Sequence, residues 1–327
     1  MHEVYIHDIG VALGGTTEYN DSATLGQPEA ECQRLADKIG IYSRPVAAPG
    51  EHTSDLARAA TAALLAQTAT SAGSIGALLV CTQTPDHLIP GVSSRLHGQL
   101  NFPTECFVLD INQGCSGFVL GTQVVANWLR TSGGSGILVN ADTYSRLVRQ
   151  NDLTTRSLFG DAATATLYST RRKGLRIIDC RSYADGSGYN AFVARSSALC
   201  GDHGVPAGIY MDGPGILNFA LRQVPEAITQ VLDAQRLHLD QLRMVLFHQA
   251  NRFMVGQLAR KLRLTPEQAP QNCKYLGNTV SASIPLLLQE QMLALKPGDL
   301  VLAVGFGVGL SWGTMLLERI IDDQGSL

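Results

Sequence analysis

The sequence has little charge, no long hydrophobic run and no pair of cysteines with CxxC spacing. Only 16% of its 327 residues are charged, and the formal net charge of -3 leaves no basic excess for nucleic acid. No apolar stretch is long enough to span a bilayer, and the N-terminus lacks the features of a signal peptide. The seven cysteines are odd in number and scattered, which argues against a disulfide framework or a metal site. These absences predict a cytoplasmic protein with free thiols, no metal, and no nucleic-acid or membrane partner.

Hydrophobic residues make up 45% of the chain, and there are 33 glycines. This composition is typical of a compact α/β enzyme and not of a disordered or coiled-coil protein. The length suggests two structural units or one fused double unit.

Short apolar runs alternate with longer segments that have helical character. Continuous apolar runs of this length are typical of strands covered on both faces in layered α/β sheets. We predict strands at Ile75–Cys81, Cys106–Ile111, Gly136–Asn140, Ala163–Tyr168, Met244–Phe247 and Leu300–Val304. We predict helices at Thr53–Ala66, Gly117–Arg130, Gly215–Ala234, Arg252–Leu262 and Ser283–Leu295.

The two halves of the chain repeat one order of elements. In each half a strand and a helix are followed by a helix that a glycine opens, then a turn and another strand. The opening segments are Gly114-Cys115-Ser116-Gly117 in the first half and Gly277-Asn278-Thr279 in the second. This repeat predicts an internal duplication, with one unit at residues 1–172 and the other at residues 173–327.

Cys115 is the first candidate for chemistry. It follows a predicted strand and begins a long apolar helix, where backbone N–H groups and the helix dipole favour a thiolate. Gly114 and Gly117 allow a tight turn and close approach of a substrate. The alternative is a small buried hydrophobic residue, which is the usual role of a free cysteine.

His248 and Asn278 are the next candidates. His248 directly follows an apolar strand, at the edge of an α/β sheet where ligands bind, although a lone histidine often has a structural role. Asn278 is either a helix N-cap or an amide that donates hydrogen bonds to a carbonyl oxygen as charge builds on it. With Cys115, these residues define a usable site: the thiolate accepts an acyl group, and the other two stabilise an enolate or a tetrahedral oxyanion.

A glycine-rich stretch, Gly305-Phe306-Gly307-Val308-Gly309, lies between two apolar strands. It is either a simple hairpin turn or a segment that presents a backbone N–H to an oxyanion. Phosphate binding is disfavoured because neither a Lys-Ser/Thr pair nor a helix follows.

Together these segments resemble the ketoacyl-ACP synthase III type enzymes of the thiolase superfamily. The resemblance covers nearly the whole chain. Its motifs are Gly114-Cys115-Ser116-Gly117, Phe159-Gly-Asp161, His248-Gln-Ala-Asn251, Gly277-Asn278-Thr279 and the final Gly-Phe-Gly-x-Gly with Ser-Trp-Gly313. It implies an α/β thiolase fold with five layers, αβαβα, built from two duplicated halves, and a homodimer.

The resemblance also implies an acyltransferase of fatty acid, polyketide or other secondary metabolism that needs no cofactor, because CoA or acyl carrier protein carries its substrates. An acyl thioester would load Cys115, and a malonyl-type thioester would then lose CO2 and attack the acyl group to give a 3-ketoacyl product. His248 and Asn278 match the decarboxylation and oxyanion pair of the family, and the backbone N–H groups of Cys115 and Val308 match its oxyanion hole.

Further positions match substrate contacts of the family. Phe306 and Gly213 match residues of the acyl pocket and tunnel, and Ile89 matches a position that reaches the tunnel of the partner subunit. Ala250 and Asn251 match contacts to the pantetheine arm, with Lys38 near the entrance. We expect an acidic carrier protein to dock on the basic residues Arg252, Arg260 and Lys261.

Three positions depart from the family pattern. Arg34 stands where many members place a tryptophan against the adenine of CoA, and Leu153 replaces the second arginine of that clamp. These changes favour a donor on a carrier protein over acyl-CoA. Val308 stands where glycine is frequent, so its side chain narrows the space near the thiolate.

Two alternative functions remain open. The Cys-bound acyl group could pass to an alcohol, an amine or another nucleophile, with His248 as general base. The chain could instead be a non-catalytic partner in a synthase of two similar subunits.

Overall fold

The computed structural model of the protein describes residues 2–149, 151–195 and 207–321. The strands there are β1 (Tyr5–Leu13), β2 (Thr16–Tyr19), β3 (Ser43–Val46), β4 (Ile75–Cys81), β5 (Phe107–Ile111), β6 (Ser135–Asp142), β7 (Ala162–Ser169), β8 (Leu175–Ala184), β9 (Phe192–Arg195), β10 (Gly208–Met211), β11 (Leu242–Phe247), β12 (Leu300–Gly307) and β13 (Ser311–Arg319). The helices are α1 (Ser22–Leu25), α2 (Glu29–Ile39), α3 (Thr53–Gln67), α4 (Val92–Gln99), α5 (Gly117–Ser132), α6 (Leu153–Arg156), α7 (Gly213–Gln235), α8 (Arg252–Leu262), α9 (Cys273–Leu276) and α10 (Ser283–Met292).

The six strands and five helices predicted from the sequence are confirmed, with small shifts at their ends. The sequence prediction missed the long strands β1, β8 and β13 and the helix α2. It also assigned Asn278 to the start of a helix, whereas α10 begins only at Ser283, after a short 3-10 turn at Val280–Ala282.

The duplication is visible in the order of the strands. Nine strands form one sheet in the order β11-β12-β13-β8-β1-β7-β6-β4-β5. Strands β1, β7, β6 and β4 of the first half follow the same order as β8, β13, β12 and β11 of the second. The two halves of this sheet join where Tyr5 and Ile6 pair with Arg176 and Leu175, and the N–H of Ile177 donates to the carbonyl of Val4 at 3.0 Å. The predicted boundary at residues 172 and 173 lies in the connection between β7 and β8, and the division into two domains stays a prediction.

The strands are covered on both faces, which explains their continuous apolar sequences. In β4, Leu78 and Val80 pack into one apolar cluster with α3 and α4, while Leu79 and Cys81 pack into another with α5 and α10. A third cluster joins the outer face of the second half to α7 and α8. Helices therefore lie outside each half of the sheet and between them, which is the five-layered αβαβα thiolase fold.

This layering brings the polar strand ends of the two halves together. Strands β4, β5 and β6 are mutually parallel, as are β11 and β12, so their carboxyl ends lie along common edges. Cys115 follows β5 and His248 follows β11, as expected for ligand-binding positions in α/β sheets.

The described cysteines Cys32, Cys81, Cys106, Cys115, Cys180 and Cys273 are free thiols, while Cys200 lies outside the described residues. Within the described ranges, no helix combines the length and apolar character required to cross a membrane.

Candidate active site

A cavity of about 630 Å³ contains all three residues that the sequence singled out for chemistry. Cys115 comes from the first half of the chain, and His248 and Asn278 come from the second. The predicted contact residues Lys38, Gly213, Ala250, Asn251 and Phe306 line the same cavity. The fold thus assembles one site from segments that are far apart in sequence.

Cys115 lies in the tight turn that leads from β5 into α5, where the N–H of Gly117 donates to the carbonyl of Gly114 at 2.7 Å. The side chain is only 4% exposed. A Cβ atom at Gly307 would lie 3.0 Å from Sγ of Cys115, so glycine leaves room for the nucleophile. This close approach explains why position 307 is a glycine. The glycine-rich stretch that contains Gly307 forms the hairpin between β12 and β13.

Burial raises the pKa of the Cys115 thiol to about 12, and the nearby carboxyl of Asp142 adds to the increase. The backbone N–H groups of Cys115 and Val308 act in the opposite direction and lower the pKa. The expected stabilisation of the thiolate by backbone donors is therefore present, but burial has the larger effect on the pKa. The Cys115 thiol is neutral at physiological pH, and the two backbone N–H groups lie beside its sulfur.

His248 is buried at the end of β11, and three contacts fix its position. Its backbone N–H donates to the carbonyl of Val304 at 2.9 Å, and Nδ1 lies 2.7 Å from Oγ of Ser283. The ring packs edge-on against Phe306, with 5.6 Å between the ring centroids. Burial lowers the pKa of His248 to about 3, against a smaller opposite effect from the Val280 carbonyl, so the imidazole is neutral at physiological pH.

Ser283 decides which nitrogen of this neutral ring carries the proton. Its hydroxyl has one hydrogen and faces two acceptors, Nδ1 of His248 and the carbonyl of Val280 at 3.0 Å. If the hydroxyl donates to Nδ1, then Nε2 carries a hydrogen and serves as a donor. If the hydroxyl donates to Val280, then Nδ1–H donates to Ser283 and Nε2 is a proton acceptor. These two tautomers suit different reactions.

Asn278 is held rigidly in a conformation that leaves one group for a substrate. Its backbone N–H donates to the carbonyl of Leu158 at 2.8 Å, and its carbonyl accepts from Gly160 at 3.0 Å. Its side-chain Oδ1 accepts the N–H of Val280 at 2.9 Å. The amide NH2 is therefore the group that Asn278 can offer in the cavity, and it is a donor.

Asp142 was not identified from the sequence as a site residue. It ends β6, is fully buried, and accepts hydrogen bonds from the N–H of Gln83 at 2.8 Å and the hydroxyl of Ser281 at 2.9 Å. These bonds join the segment after β4 to the turn that carries Asn278. Burial raises the pKa of Asp142 to about 7, against the effect of the hydrogen-bond donors. The sequence did contain a signal for Asp142, because an aspartate at the end of the apolar strand β6 indicates a polar group at the edge of the sheet where ligands bind.

The mouth of the cavity lies between α2, α6 and α8. Lys38, Leu153 and Phe253 line it, and Arg34 points back to its own helix, where Nε donates to the carbonyl of Ala30 at 3.0 Å. Apolar Leu153 and Phe253 and polar Glu31, Lys38 and Thr154 line this part of the cavity, and Arg34 is not among its lining residues. Asn251 lines the mouth and also caps α8, because its Oδ1 accepts the N–H of Met254 at 2.8 Å.

The three predicted docking residues are exposed on α8 but differ in their surroundings. Arg260 and Lys261 occupy the last turn, where positive charge suits the helix C-terminus. Arg252, in the first turn, donates to the backbone carbonyl of Asp37 and so ties α8 to α2.

Two predicted residues do not line the cavity. Ile89 is 86% exposed, in the segment between β4 and α4. The backbone N–H of Val308 interacts with the Cys115 thiol and lowers its pKa. The side chain of Val308 points toward Gly114, and its Cγ1 lies 2.5 Å from the position that a Cβ at Gly114 would take. The Val308 side chain therefore packs on the residue that precedes the nucleophile.

Comparisons with known proteins show which family the chain is similar to. Residues 109–186 match the family model described as 3-oxoacyl-[acyl-carrier-protein] synthase III, and residues 232–319 match its C-terminal model. The chain is 34% identical to a beta-ketoacyl-[acyl-carrier-protein] synthase III from Rhodopirellula baltica, over 94% of this chain and 98% of the relative. A crystal structure of a 3-oxoacyl-(acyl-carrier protein) synthase from Burkholderia xenovorans superposes with a TM-score of 0.89 and 31% identity, covering 97% of this chain and 94% of that one. A 3-oxoacyl-(acyl carrier protein) synthase III from Pseudomonas aeruginosa gives a TM-score of 0.87 at 26% identity, over 98% and 99% of the two chains.

Proposed function

The chain belongs to the 3-oxoacyl-[acyl-carrier-protein] synthase III family of the thiolase superfamily, and we propose that it performs a decarboxylative Claisen condensation on Cys115. The observation that carries this proposal is the orientation of Asn278. Its Oδ1 is bound to Val280, so its NH2 group is available as a donor in the cavity that also contains Cys115 and His248. A donor fixed in advance suits an enolate oxygen, which develops charge during the reaction.

In the first step, the Cys115 sulfur attacks the carbonyl carbon of an acyl thioester. The N–H groups of Cys115 and Val308 stabilise the tetrahedral oxyanion. The bond between the acyl carbon and the sulfur of the carrier then breaks, and the carrier leaves as a thiol with the proton from Cys115. The step exchanges one thioester for another. The attacking thiol loses one proton and the departing thiol gains one, so the step can start from a neutral Cys115 thiol.

In the second step, a malonyl-type thioester enters the same cavity and loses its carboxylate as CO2. The electron pair of the broken bond forms an enolate, whose oxygen accepts hydrogen bonds from Asn278 and from Nε2–H of His248. The enolate carbon bonds to the acyl carbon, and Cys115 leaves as a thiolate and regains a proton. The proton that returns the Cys115 thiolate to the thiol comes from water; with that proton both steps balance with the two thioesters, so the proposal includes no metal or organic cofactor.

The proposed acyl donor is bound to an acyl carrier protein. Support comes from the mouth, where Leu153 and Phe253 are apolar and Arg34 bonds to its own helix instead of facing an adenine ring. Arg260 and Lys261 lie exposed in the last turn of α8, the helix whose first turn lines this mouth, and there they can attract an acidic carrier.

We further propose that the protein acts as a homodimer. β5 is an edge strand of the large sheet, and Phe107 at its start is 40% exposed. Leu88 and Ile89, which precede α4, are 62% and 86% exposed. A second copy that covers this edge would bury these side chains. Sedimentation of the wild type and of Ile89→Asp, which we expect to weaken the dimer, tests this arrangement.

Acyl transfer to an alcohol or an amine is the second candidate function. The observation that favours it is Ser283, because donation of its hydroxyl to Val280 leaves Nε2 of His248 as a proton acceptor. In that tautomer His248 would remove a proton from the attacking group as a general base. The low pKa of His248 makes it a weak base, so we rank this function second.

A single-turnover experiment separates the two functions. Cys115 is first loaded with an acetyl thioester, excess donor is removed, and malonyl carrier protein is added while CO2 and product mass are followed. We expect one CO2 for each 3-oxoacyl product and loss of the Cys115 adduct. An adduct that resists malonyl thioester and leaves only with an alcohol or amine, without CO2, would replace condensation by acyl transfer.

A further inference from the structure

Three polar side chains beside the nucleophile, those of Gln113, Ser116 and Ser311, have no part in the two steps above. Gln113 and Ser116 belong to the turn that contains Cys115, and Ser311 is the first residue of β13. The two serines come from different halves of the chain and are 195 residues apart, yet their hydroxyl oxygens lie 2.7 Å apart. Ser116 is 2% exposed and Ser311 is 6% exposed. This contact therefore joins the two halves in the protein interior.

The hydrogen bonds of these side chains form a directed network that ends on the backbone of Val308. The side-chain nitrogen of Gln113 donates to Oγ of Ser116 at 2.9 Å and to Oγ of Ser311 at 2.7 Å. The Ser311 hydroxyl donates its one hydrogen to the carbonyl of Val308 at 2.7 Å. The hydrogen between the two serines must then come from Ser116. All the hydrogens of the three side chains are used, so the network has no alternative partner to offer Val308.

Val308 lies in a part of the backbone that needs such support. It stands between Gly307 and Gly309, and glycine leaves the backbone more freedom than any other residue. Gly309 has a φ of 135°, which residues with side chains rarely adopt. Strand β12 ends at Gly307, whose partner in β13 is Ser311. Ser311 thus holds Val308 on both sides, through the strand pair before it and through the hydrogen bond to its carbonyl.

The network also connects the two backbone donors proposed for the oxyanion. Ser116 directly follows Cys115, and Ser311 holds Val308, so the contact between the serines fixes the two donor segments relative to each other. A Cβ atom at Gly305 would lie 2.7 Å from Cα of Ser116, which shows how closely β12 packs on this turn. Two donors stabilise an oxyanion well only when their directions are set before the charge develops.

We propose that Ser311, linked to Ser116 and Gln113, is a positioning residue that keeps the Val308 N–H directed at the carbonyl oxygen of a thioester under attack by Cys115. This inference rests on the proposed loading of Cys115. None of these three side chains lines the cavity, so each acts through the backbone and exchanges no bond or proton with the substrate. Without the Ser311 hydroxyl, the backbone around Val308 is free to rotate, and its N–H no longer meets the oxyanion in every molecule.

The test compares two reactions of Cys115 in the same protein. Acylation by the acetyl thioester of N-acetylcysteamine, a small thiol, passes through an oxyanion, whereas alkylation by iodoacetamide displaces iodide at a saturated carbon. Both reactions begin with loss of the thiol proton. The ratio of their rates is therefore insensitive to a change in the thiol pKa or in the fraction of folded protein. Intact mass gives both rates, and Cys115→Ser identifies modification elsewhere.

The expected change in this ratio differs among the variants. Ser311→Ala should lower the ratio of acylation to alkylation by at least about tenfold, which is less than complete loss of one oxyanion donor. Ser311→Thr keeps the hydroxyl and should keep the ratio of the wild type. Ser116→Ala should lower the ratio by about threefold, because Ser311 retains its other two hydrogen bonds.

Ser74→Ala is the matched control. The Ser74 hydroxyl donates to the carbonyl of Ser71 at 2.7 Å, which is the same bond to the third residue before it that Ser311 makes to Val308. Ser74 is exposed and precedes β4, at the end of that strand away from Cys115. The ratio should be unchanged in this variant.

An unchanged ratio in Ser311→Ala, or an equal fall in Ser311→Ala and Ser311→Thr, would overturn the inference. If Ser311→Ala does not fold, an unchanged ratio in Ser116→Ala would overturn it. A wild type that is acylated but releases no CO2 with malonyl carrier protein would overturn condensation and leave the role of Ser311 standing. A wild type that is alkylated but never acylated would overturn both.

Discussion

The inner end of the cavity and its mouth are built in different ways. At the inner end, Cys115, His248 and Asn278 are at most 6% exposed, and hydrogen bonds from both halves of the chain fix this region. At the mouth, Lys38 and Phe253 are exposed on the surfaces of α2 and α8. The proposed chemistry therefore depends on rigid, buried groups, whereas the proposed recognition of a carrier depends on exposed side chains with freedom to adjust.

This difference predicts where substitutions act. A change at the inner end should affect a chemical step, because a donor misplaced by a fraction of an ångström no longer meets the charge that develops. A change at the mouth should affect binding of the carrier, because exposed charges contribute little each. Substitutions at the two ends of the cavity test this contrast, and we expect the largest changes in rate at the inner end.

Asn278→Ala should have the largest effect at the inner end. Loss of one donor to the enolate oxygen should slow condensation by about a hundred- to a thousandfold, while loading of Cys115 changes little. The measurement is CO2 release and product mass, compared with adduct formation. Asn127→Ala, which removes an exposed asparagine from α5, is the matched control. Normal condensation in Asn278→Ala would remove Asn278 from the mechanism.

Ser283→Ala should have a smaller effect of about tenfold on kcat of condensation, because His248 loses the hydroxyl that orients its ring and selects its tautomer. The KM for malonyl carrier protein should hardly change, since the mouth is untouched. Ser93→Ala, at a buried serine of α4, serves as the control. An effect on KM alone would assign Ser283 to binding.

Asp142→Asn should change the pH dependence of Cys115. The pKa of Asp142 is raised to about 7, so its carboxylate is charged above that pH and then disfavours the Cys115 thiolate. The variant should react with iodoacetamide roughly fivefold faster than the wild type above pH 8, where about 1 kcal/mol of repulsion has been removed. Below pH 6 the two proteins should react alike, because Asp142 is already neutral.

In Asp142→Asn the rate of this alkylation, followed as mass added at Cys115, should rise by about tenfold per pH unit through neutral pH, since the thiol pKa lies far above it. In the wild type the rise should be shallower around pH 7, because ionisation of Asp142 there disfavours the thiolate. His248, with a pKa near 3, should contribute no second inflection between pH 5 and pH 9. A constant difference between Asp142→Asn and the wild type at every pH would show a structural effect and not one of charge.

The double substitution of Arg260→Glu and Lys261→Glu, in the last turn of α8, should have the smallest effect. We expect KM for the carrier-protein thioester to rise by about three- to tenfold, because exposed ion pairs contribute about 0.2–1 kcal/mol each. Kinetics with N-acetylcysteamine thioesters, which lack the protein carrier, should be unchanged. An equal loss with both donors would place the effect in the cavity and remove the contrast between its two ends.

The sequence predicted most of the layered core because strands such as β4 are continuously apolar. It missed β8 because Arg176, Asp179 and Arg181 interrupt the apolar pattern; they form ion pairs along the sheet with Glu318 and with each other. It missed α2, although Cys32, Leu35, Ala36 and Ile39 recur at helical spacing, because most other positions of this short helix are charged or polar. Local patterns of hydrophobicity thus find buried elements and overlook those that expose charge.

Within the site, the sequence supplied the candidate reactive residues but not the groups that hold them. Ser283 is 35 residues from His248, and Ser281 is 139 residues from Asp142, so no local pattern links them. The sequence also predicted stabilisation of the Cys115 thiolate from its position before a helix. It could not show the burial that outweighs this effect, because burial depends on packing between the two halves.

The most direct test of the account is the intact mass of the wild type after incubation with an acetyl thioester, with peptide mapping of the modified residue. The account predicts one acetyl group per chain, on Cys115, that disappears with release of CO2 when malonyl carrier protein is added, and no adduct in Cys115→Ser. An unmodified Cys115 after prolonged incubation, or an acetyl group on another residue, would contradict it.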